Sequence, residues 1–157
     1  MKISDALNET ISYQCDHELM NMVKYKMVAT YFEQLKLKNL SKKFYNQADE
    51  EYQHYTEIIQ YLNTRGGKYI PTSITAPLLE ISSPQEVGDI YYKVETDTTE
   101  SLQSIAEMIY EEKSFIDVRF IEKYLKIQIA EEDEADTFRN SIQTVSDIVL
   151  FDATLEV

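Results

Sequence analysis

The distribution of helix-breaking residues is the strongest constraint on the fold of this 157-residue chain. Only three Gly and three Pro are present, and five of these residues fall in one stretch: Gly66, Gly67, Pro71, Pro77 and Pro84. The sequence on either side is nearly free of breakers, which favours a few long helices over many short strands. A chain of this length fits one domain and is long enough to bury a substantial core.

Four segments outside this stretch carry apolar residues at helical spacing. They predict helices at residues 4–34, 39–65, 84–112 and 115–147, a connection over 66–83, and a short carboxyl-terminal segment, 148–157, without a clear assignment. Antiparallel neighbours in a bundle need connections of only about 2–8 residues. The longer connection therefore predicts a crossover along the bundle that joins two parallel helices. We expect an all-α four-helix bundle with this crossover between helices 2 and 3, forming a single domain over residues 1–157.

Local signals mark three of the expected helix ends. Ser4, followed by Asp5, is a suitable start for the first helix. The second helix is expected to end at Arg65-Gly66-Gly67, where a cation in the last turn is followed by glycine. The segment Ser83-Pro-Gln-Glu86 has the pattern of a capping box, with Ser as N-cap, Pro in the first turn and Glu three residues after the cap.

Each predicted helix carries an acidic residue on the face meant for the core. In the second helix, Glu51 lies seven residues after Phe44 and seven before Ile58. His54 follows three residues later and projects from the same face. The corresponding residues of the other helices are Glu18, Glu95, and the pair Gln128 and Glu131. A bare carboxylate in an apolar core is strongly unfavourable unless something compensates its charge.

A pair of metal ions would compensate these charges. Four carboxylates, one imidazole and one amide suit iron(II), manganese or zinc better than metals that prefer thiolates. Two divalent ions carry four positive charges, which four carboxylates neutralise. Glu51 is the expected bridge, because it lies between the single glutamates of the flanking helices. The structural alternative is a bundle whose polar core residues bind no metal.

Composition limits the expected partners and location. The net charge of −13 argues against nucleic-acid binding, because Lys and Arg supply most of the affinity for phosphate. The amino terminus lacks a signal-like apolar run, and no stretch approaches the roughly 20 apolar residues needed to cross a bilayer. The single cysteine, Cys15, excludes an internal disulfide and suits a reducing compartment. We therefore expect a cytoplasmic protein that binds neither nucleic acid nor membrane.

Three motifs resemble the ferritin family, most closely its non-haem bacterial members. They are Ala48-Asp-Glu-Glu51-Tyr-Gln-His54, Leu62-Asn-Thr-Arg-Gly-Gly67 and Gln128-Ile-Ala-Glu131. The spacing from Glu18 to Glu51, to Glu95 and to Gln128 also matches the family pattern without gaps. The resemblance covers nearly the whole chain and implies a ferritin-like bundle that oxidises iron(II) with dioxygen or peroxide. It further implies that ferric oxide is stored inside a homo-oligomeric shell, in the family a shell of 24 subunits.

The resemblance also implies a ferroxidase centre with two iron ions per subunit. Carried over position by position, Glu18, Glu51 and His54 would hold one iron. Glu51, Glu95 and Glu131 would hold the other, which makes Glu51 a catalytic residue as well as a ligand. Acidic residues continue along the fourth helix after Glu131, and we interpret that run as a solvated helix face rather than a site of iron nucleation.

Further roles follow from the resemblance for residues beside the centre. Gln128 would lie at the edge of the second iron and hydrogen-bond ligands or water. Tyr25 would hydrogen-bond a ligand or take part in electron transfer, although a core tyrosine with a satisfied hydroxyl is an equal alternative. Glu50 could serve a third iron site found in some bacterial ferritins. Ile127 and Ala130 replace two acidic positions of that site, so we expect it to be lost or weakened.

Departures from the family pattern affect haem, assembly and the choice of function. Tyr52 and Gln53 stand where bacterioferritins have a haem-binding Met, so haem is not expected. The segment after the fourth helix is shorter than in many ferritins, so a smaller assembly stays open. The competing function is a ferritin-like di-iron oxidase or peroxide-scavenging protein in a small oligomer without a storage cavity. Rubrerythrin-type proteins, however, usually repeat Glu-x-x-His on the fourth helix, where this chain has Gln128-x-x-Glu131.

Overall fold

The computed structural model describes all 157 residues as helices and connections, without a β-strand. The helices are α1 (Asp5–Gln34), α2 (Lys38–Thr64), α3 (Glu86–Glu111), α4 (Val118–Gln143) and the short α5 (Ile148–Thr154). A single 3-10 turn, Phe115–Asp117, precedes α4. The expected all-α fold class is confirmed. None of these helices combines the length and the apolar character needed to cross a membrane.

The long helices pack as two antiparallel pairs. Short turns join α1 to α2 and α3 to α4, and each helix packs along the partner to which its turn connects it. The two pairs meet through α1 and α3, and side chains of α2 and α4 also contact one another. Residues 65–85, which connect α2 to α3, form no helix or strand. This arrangement brings one face of each long helix into a common interior.

A polar layer divides the core of the bundle into two apolar halves. One half is built around Phe44 and includes Ala48, and the other begins on the same helix at Ile58. Between them lies Glu51, which is buried. The other three long helices repeat this order, with buried polar residues filling the gap between apolar residues of the two halves. The inward acidic positions of the sequence therefore share one level of the bundle.

The end of α2 has the geometry of a glycine-terminated helix. Gly66 has a φ of 70°, its N–H donates to Asn63 O (3.1 Å), and the N–H of Gly67 donates to Leu62 O (2.8 Å). This pair of bonds is a Schellman motif, which satisfies carbonyls at the end of the helix. The Cβ of any side chain at Gly67 would collide with Asn8 Oδ1. The expected glycine stop signal is confirmed, but the helix ends at Thr64, so Arg65 is the cap residue and does not lie in the last turn. Gly66 is required by its positive φ and Gly67 by the lack of space for a side chain.

The start of α3 differs from the capping box predicted by the sequence. The hydroxyl of Ser83 makes no capping bond; instead, Ser83 O accepts from Glu86 N at 3.2 Å. The carboxylate of Glu86 accepts from the N–H of Ser82 at 2.9 Å, one residue earlier than expected. Bonds of the 3-10 type therefore close the first turn, and the α-helix begins at Glu86 rather than at residue 84.

The end of α4 lies four residues before the expected position, at Gln143 rather than residue 147. The reason is a new helix start at Asp147, whose Oδ1 accepts from Leu150 N at 3.0 Å. A capping residue takes non-helical backbone angles, so the chain must leave α4 before Asp147. The carboxyl-terminal segment, left open by the sequence, thus forms the short helix α5.

The first part of the crossover is tied to α1 by polar contacts. Asn8 Nδ2 donates to Lys68 O, and Asn8 Oδ1 accepts from Lys68 N, both at 2.8 Å. Further along, the buried carboxylate of Asp16 accepts from Thr72 N at 2.9 Å and Thr72 Oγ1 at 2.6 Å, and also from the hydroxyl of Tyr69. These hydrogen bonds satisfy polar groups of α1. They also fix the path of a segment that has no regular backbone hydrogen bonds of its own.

Helix α5 docks at the other end of the bundle and caps α2. Asp152 Oδ1 accepts from Leu40 N at 2.7 Å, and Asp152 O accepts from Asn39 Nδ2 at 2.9 Å. The residue that precedes α2, Leu37, offers no side-chain cap of its own. The apolar residues Ile148, Phe151 and Leu155 pack against the nearer half of the core. An N-cap for one helix is thus supplied by a residue more than a hundred positions away.

Replacing Asp152 by alanine is expected to lower the free energy of unfolding by about 1 kcal/mol, the usual contribution of a capping side chain. For a chain of this size this corresponds to a melting temperature lower by roughly 2–4 °C. Thermal unfolding followed by circular dichroism measures the change. Asp152→Asn is the matched control, because asparagine caps about as well as aspartate. Equal melting temperatures for the alanine and asparagine variants would show that the cap contributes nothing.

Candidate metal centre

The polar layer collects one buried polar side chain from each long helix. Their exposed fractions are 1% for Glu18, 2% for Glu51, 0% for Glu95 and 4% for Gln128. All four are helical residues at core-facing positions, so the helix geometry that buries the apolar stripes buries them as well. Nothing about local helix formation requires polar residues there, and their burial opposes folding unless they are partnered.

Glu18, Glu51 and His54 form a compact group able to hold a metal ion. One ligand atom from each lies within 4.8 Å of the others. His54 Nδ1 is 3.9 Å from Glu18 Oε2 and 3.9 Å from Glu51 Oε2. These separations are too long for direct hydrogen bonds. Both carboxylate oxygens are buried without a hydrogen-bond partner, whereas most buried polar atoms have one. An oxygen-rich set with one imidazole fits iron(II) by its chemistry.

The carboxylate of Glu95 lies in the same layer but is held by neighbouring side chains. Tyr25 donates its hydroxyl hydrogen to Glu95 Oε1. Gln128 Nε2 donates to Glu95 Oε2 at 2.9 Å and to Glu95 O at 3.0 Å. Glu131 is half-buried, and its Oε2 accepts from Gln47 Nε2 at 2.9 Å. In the structure, Tyr25 and Gln128 are therefore hydrogen-bonded to the carboxylate of Glu95. Glu95 and Glu131 lie outside the compact group formed by Glu18, Glu51 and His54.

Burial, together with repulsion between neighbouring carboxylates, raises the pKa of three acidic groups in and beside the polar layer. Burial, followed by the neighbouring Glu18, raises the pKa of Glu51 well above its usual value. Burial raises the pKa of Glu95 to about 7, although the hydrogen bonds from Tyr25 and Gln128 act in the opposite direction. Burial also raises the pKa of Glu131. A cation that enters the layer must displace protons, so metal binding and proton release are coupled.

Gln14 is a site residue that the sequence interpretation missed. Its Nε2 donates to Glu18 Oε1 at 2.8 Å, which leaves Oε2 as the free atom of that carboxylate. The hydroxyl of Ser101 donates to Gln14 Oε1 and fixes the orientation of the amide. Gln47 holds Glu131 in a similar way. Both glutamines lie four residues before an inward glutamate, so polar residues at that spacing were the signal available in the sequence.

Replacing Gln14 by alanine is expected to weaken zinc(II) binding by roughly 10–100-fold, as loss of a residue that orients a metal ligand usually does. The variant leaves Glu18 Oε1 without its donor and frees the carboxylate to rotate. Isothermal titration calorimetry with zinc(II) measures the affinity without redox chemistry. Gln53→Ala is a matched control, because Gln53 donates to Glu57 at 2.9 Å with the same spacing on an exposed face. Unchanged affinity in Gln14→Ala would remove Gln14 from the site.

A second set of polar contacts adjoins the layer between α1 and α3. The hydroxyl of Thr98 donates to Val94 O at 2.8 Å. It therefore accepts from Asn21 Nδ2 and contacts His17 Nε2, each at 2.9 Å. Because Thr98 has a single hydroxyl hydrogen, His17 Nε2 must be the donor in this contact. Asn21 Oδ1 is buried without a partner. The sequence interpretation assigned none of these residues to the site.

Glu50 lies apart from the buried residues. Its side chain is exposed, and the compact group of potential ligands does not include it. Ala130 is exposed and Ile127 is half-buried on the facing helix, and neither can ligate a metal. The expectation of a weakened third site stays a prediction.

The bundle and its polar layer define a class of protein. The bundle has antiparallel helix pairs with a long crossover, buried carboxylates from three helices, and a buried amide beside a half-buried carboxylate from the fourth. This combination is typical of ferritin-like proteins that bind two metal ions. The model of the ferritin-like domain family matches residues 5–145. The chain therefore belongs to the ferritin family.

Comparison with known proteins agrees with this assignment. The bacterial non-heme ferritin of Staphylococcus aureus (strain USA300) is 26% identical over 145 residues, covering 92% of this chain and 87% of the relative. The bacterial non-heme ferritin of Staphylococcus saprophyticus is 27% identical over 146 residues, covering 93% and 85%.

Solved structures of archaeal ferritins share the fold over almost the full length. An open-pore ferritin from Archaeoglobus fulgidus superposes with a TM-score of 0.92 at 24% identity, covering 96% of this chain and 94% of that one. An engineered closed form of the same ferritin gives a TM-score of 0.90 at 26% identity, covering 97% and 95%. The helices that carry the polar layer are therefore arranged as in known ferritins.

Proposed function

We propose that this chain is an iron-storage ferritin subunit, which oxidises iron(II) with dioxygen at a di-iron ferroxidase centre inside each subunit. The observation that carries the proposal is the pair of buried, unpartnered oxygens, Glu18 Oε2 and Glu51 Oε2, facing His54 Nδ1 at 3.9 Å. A purely structural bundle gains nothing from such atoms, because each opposes burial. A divalent cation satisfies both oxygens together.

Iron is the substrate of this centre, and two ions occupy it in turn. Glu18, Glu51 and His54 bind the first ion, because their free atoms already face one another. The second ion binds Glu51, Glu95 and Glu131, with Glu51 shared. It must compete for oxygens that accept hydrogen bonds from Tyr25, Gln128 and Gln47. We therefore expect the first position to fill at lower iron(II) concentration than the second.

The protein's residues prepare the site for electron and proton transfer. Two iron(II) ions give up two electrons, and dioxygen takes them together with two protons to form hydrogen peroxide. The protons displaced from the carboxyl groups by iron are available at the same place. Tyr25 and Gln128 orient Glu95 throughout, and the surrounding apolar halves of the core limit the entry of water.

Storage requires an enclosed assembly, and we propose a homo-oligomeric shell, most simply of 24 subunits. Large apolar side chains on two surfaces of the subunit support association. Leu78 on the crossover is 93% exposed and Ile129 on α4 is 74% exposed. The relatives and structural neighbours are ferritins by name. The same assignment leads us to propose a cytoplasmic protein without haem, since Tyr52 and Gln53 offer no thioether ligand.

The test is to add excess iron(II) in air and to measure iron per subunit in the size-exclusion peak of the product. We expect a very large particle that retains far more than the two irons of a dinuclear site. A small oligomer that stops near two irons would instead support a ferritin-like oxidase. No retained iron and no oxidation would refute the metal centre.

A further inference from the structure

Three aromatic rings connect the metal centre with one end of the bundle. The ring of Tyr124 lies edge-on to that of His54, with centroids 5.7 Å apart. Phe120 follows at 5.2 Å from Tyr124, and Tyr61 stacks on Phe120 with centroids 3.8 Å apart and planes 4° from parallel. We call Tyr124, Phe120 and Tyr61 the aromatic column. It bridges α2 and α4 from a candidate ligand to partly exposed rings near the end of α2.

Each tyrosine of the aromatic column donates to a carboxylate. Tyr124 donates to Glu57 Oε2 at 3.1 Å, and Tyr61 donates to Asp117 Oδ1. Both carboxylates are paired with a cation: Lys123 Nζ lies 2.8 Å from Glu57 Oε2, and Arg65 Nε lies 2.5 Å from Asp117 Oδ1. These ion pairs hold the two carboxylates ionised, as the lowered pKa values of Glu57 and Asp117 indicate. Each phenol therefore has a fixed proton acceptor.

A hydrogen-bonded carboxylate is what a redox-active tyrosine requires. Removing one electron from a phenol turns it into a far stronger acid than a carboxylic acid, so its proton passes to an acceptor already in contact. Burial raises the pKa of Tyr61 above its usual value, so this phenol keeps its proton in the resting state. Without an acceptor, oxidation would leave a charged ring in a half-buried interface, which is unfavourable.

The tyrosines on the other side of the centre are arranged differently: Tyr25 also donates to a carboxylate, that of Glu95, but its neighbour Tyr91 does not. Tyr25 contacts Tyr91 at 5.6 Å, but both are fully buried within the apolar half of the core around Phe44. The hydroxyl of Tyr91 donates to the amide oxygen of Gln47 at 3.3 Å, which is a weak base. That route ends inside the protein, whereas the aromatic column ends at rings that reach the surface. The two sides of the centre are therefore not equivalent.

We propose that the aromatic column carries electrons one at a time from iron(II) at the end of the bundle to the oxidant at the metal centre. The proposal rests on the proposed function, which supplies both the iron(II) and the hydrogen peroxide. In this proposal Tyr124 and Tyr61 are redox-active residues. Phe120 contacts both of their rings and so bridges the distance between them. Iron(II) that never enters the centre is then oxidised by the peroxide formed there.

The transfer balances in electrons and protons. Tyr124 gives one electron to the oxidant, and its phenolic proton passes to Glu57. Tyr61 then reduces the Tyr124 radical, its own proton passes to Asp117, and Glu57 returns its proton to Tyr124. An iron(II) ion in solution reduces the Tyr61 radical and becomes iron(III), while Asp117 returns the proton. Two such passes, with two protons from solvent, convert one hydrogen peroxide to two waters and two iron(II) to two iron(III).

The test is rapid freeze-quench electron paramagnetic resonance. The protein is loaded anaerobically with iron(II) only enough to fill the centre, then mixed with dioxygen-saturated buffer. The iron of the centre then forms hydrogen peroxide, and no iron(II) is left in solution to reduce the column again. We expect a tyrosyl radical in the wild type that Tyr124→Phe abolishes. In Tyr61→Phe and Phe120→Leu, electron transfer between the two tyrosines is interrupted. The radical then stays on Tyr124, and its spectrum differs from that of the wild type. Tyr52→Phe is the matched control, because Tyr52 is exposed and contacts Tyr55 outside the column.

The outcomes separate this inference from the proposed function. Iron oxidation is followed by ultraviolet absorbance in the same samples, and circular dichroism confirms that each variant is folded. Absence of iron oxidation in the wild type means that the proposed function itself has failed. Iron oxidation with no radical, with equal radical yield in Tyr124→Phe, or with a radical lost only in Tyr25→Phe overturns the aromatic column alone.

Discussion

Replacing Glu51 by glutamine is expected to abolish rapid iron(II) oxidation and, at the same time, to stabilise the metal-free protein. The proposed centre shares Glu51 between both irons, so its loss weakens both positions. The oxidation rate should fall by more than the roughly 100-fold that loss of a supporting residue costs at a metal site. The amide keeps the volume of the side chain but carries no charge, and its N–H group can donate to a neighbouring carboxylate.

The gain in stability follows from the buried, unpartnered oxygen of Glu51. An unsatisfied buried polar group opposes folding by about 1–3 kcal/mol, and each kcal/mol corresponds to roughly 2–4 °C in melting temperature. Stopped-flow absorbance measures oxidation, and differential scanning calorimetry with a chelator measures stability. Glu107→Gln, an exposed position on α3, is the matched control. A variant that oxidises iron at the wild-type rate would refute the assignment of Glu51, whatever its stability.

The metal-free protein is also expected to lose stability as the pH rises from 4.5 to about 7. The pKa of Glu95 rises from 4.5 to about 7 on folding, and that of Glu51 rises well above its usual value. In this window the folded state binds more protons than the unfolded state, so the free energy of unfolding falls with increasing pH. The stabilising contribution is complete below pH 4.5 and lost through pH 7. For Glu95 alone it amounts to roughly 3 kcal/mol.

Zinc(II) should reverse this dependence, because the metal takes the place of the protons and binds best to deprotonated carboxylates. Melting temperatures at several pH values, with chelator and with zinc(II), measure both slopes. Glu95→Gln should flatten the slope of the metal-free protein. The ion-paired Glu57 has a pKa lowered to about 2, so its stabilising effect is lost only as the pH falls below 4.5. A metal-free protein equally stable at pH 5 and pH 7.5 would contradict the proposed protonation of the layer.

The sequence predicted the bundle because its signals are local and repeated. Helical periodicity and the confinement of glycine and proline need no knowledge of tertiary contacts. The polar layer was visible for the same reason: Glu51 interrupts an apolar stripe at a position that periodicity alone assigns to the core. The structure then buries Glu18, Glu51 and Glu95 at one level, although their roles as iron ligands stay a prediction.

Features that depend on contacts between distant segments were not predictable in this way. In the sequence, Gln14 is indistinguishable from any other helical residue. Its role depends on the hydrogen bonds that its side-chain amide makes with Glu18 and Ser101. The capping pattern at Ser83 was wrong in detail because a backbone carbonyl, rather than the serine hydroxyl, closes the first turn. The early end of α4 depends on Asp147, whose side chain starts another helix, and short helices carry little periodicity.

The docking of α5 supplies an acceptor for the backbone N–H of Leu40. It belongs to the first turn of a helix, where N–H groups have no partner within the helix, and its acceptor is the side chain of Asp152. Detachment of α5 would expose this one amide to exchange with solvent while the four long helices stay folded. Proteins open in separate units whose free energies differ. Hydrogen exchange at Leu40 therefore reports how tightly the carboxyl-terminal segment is held, independently of the global stability of the bundle.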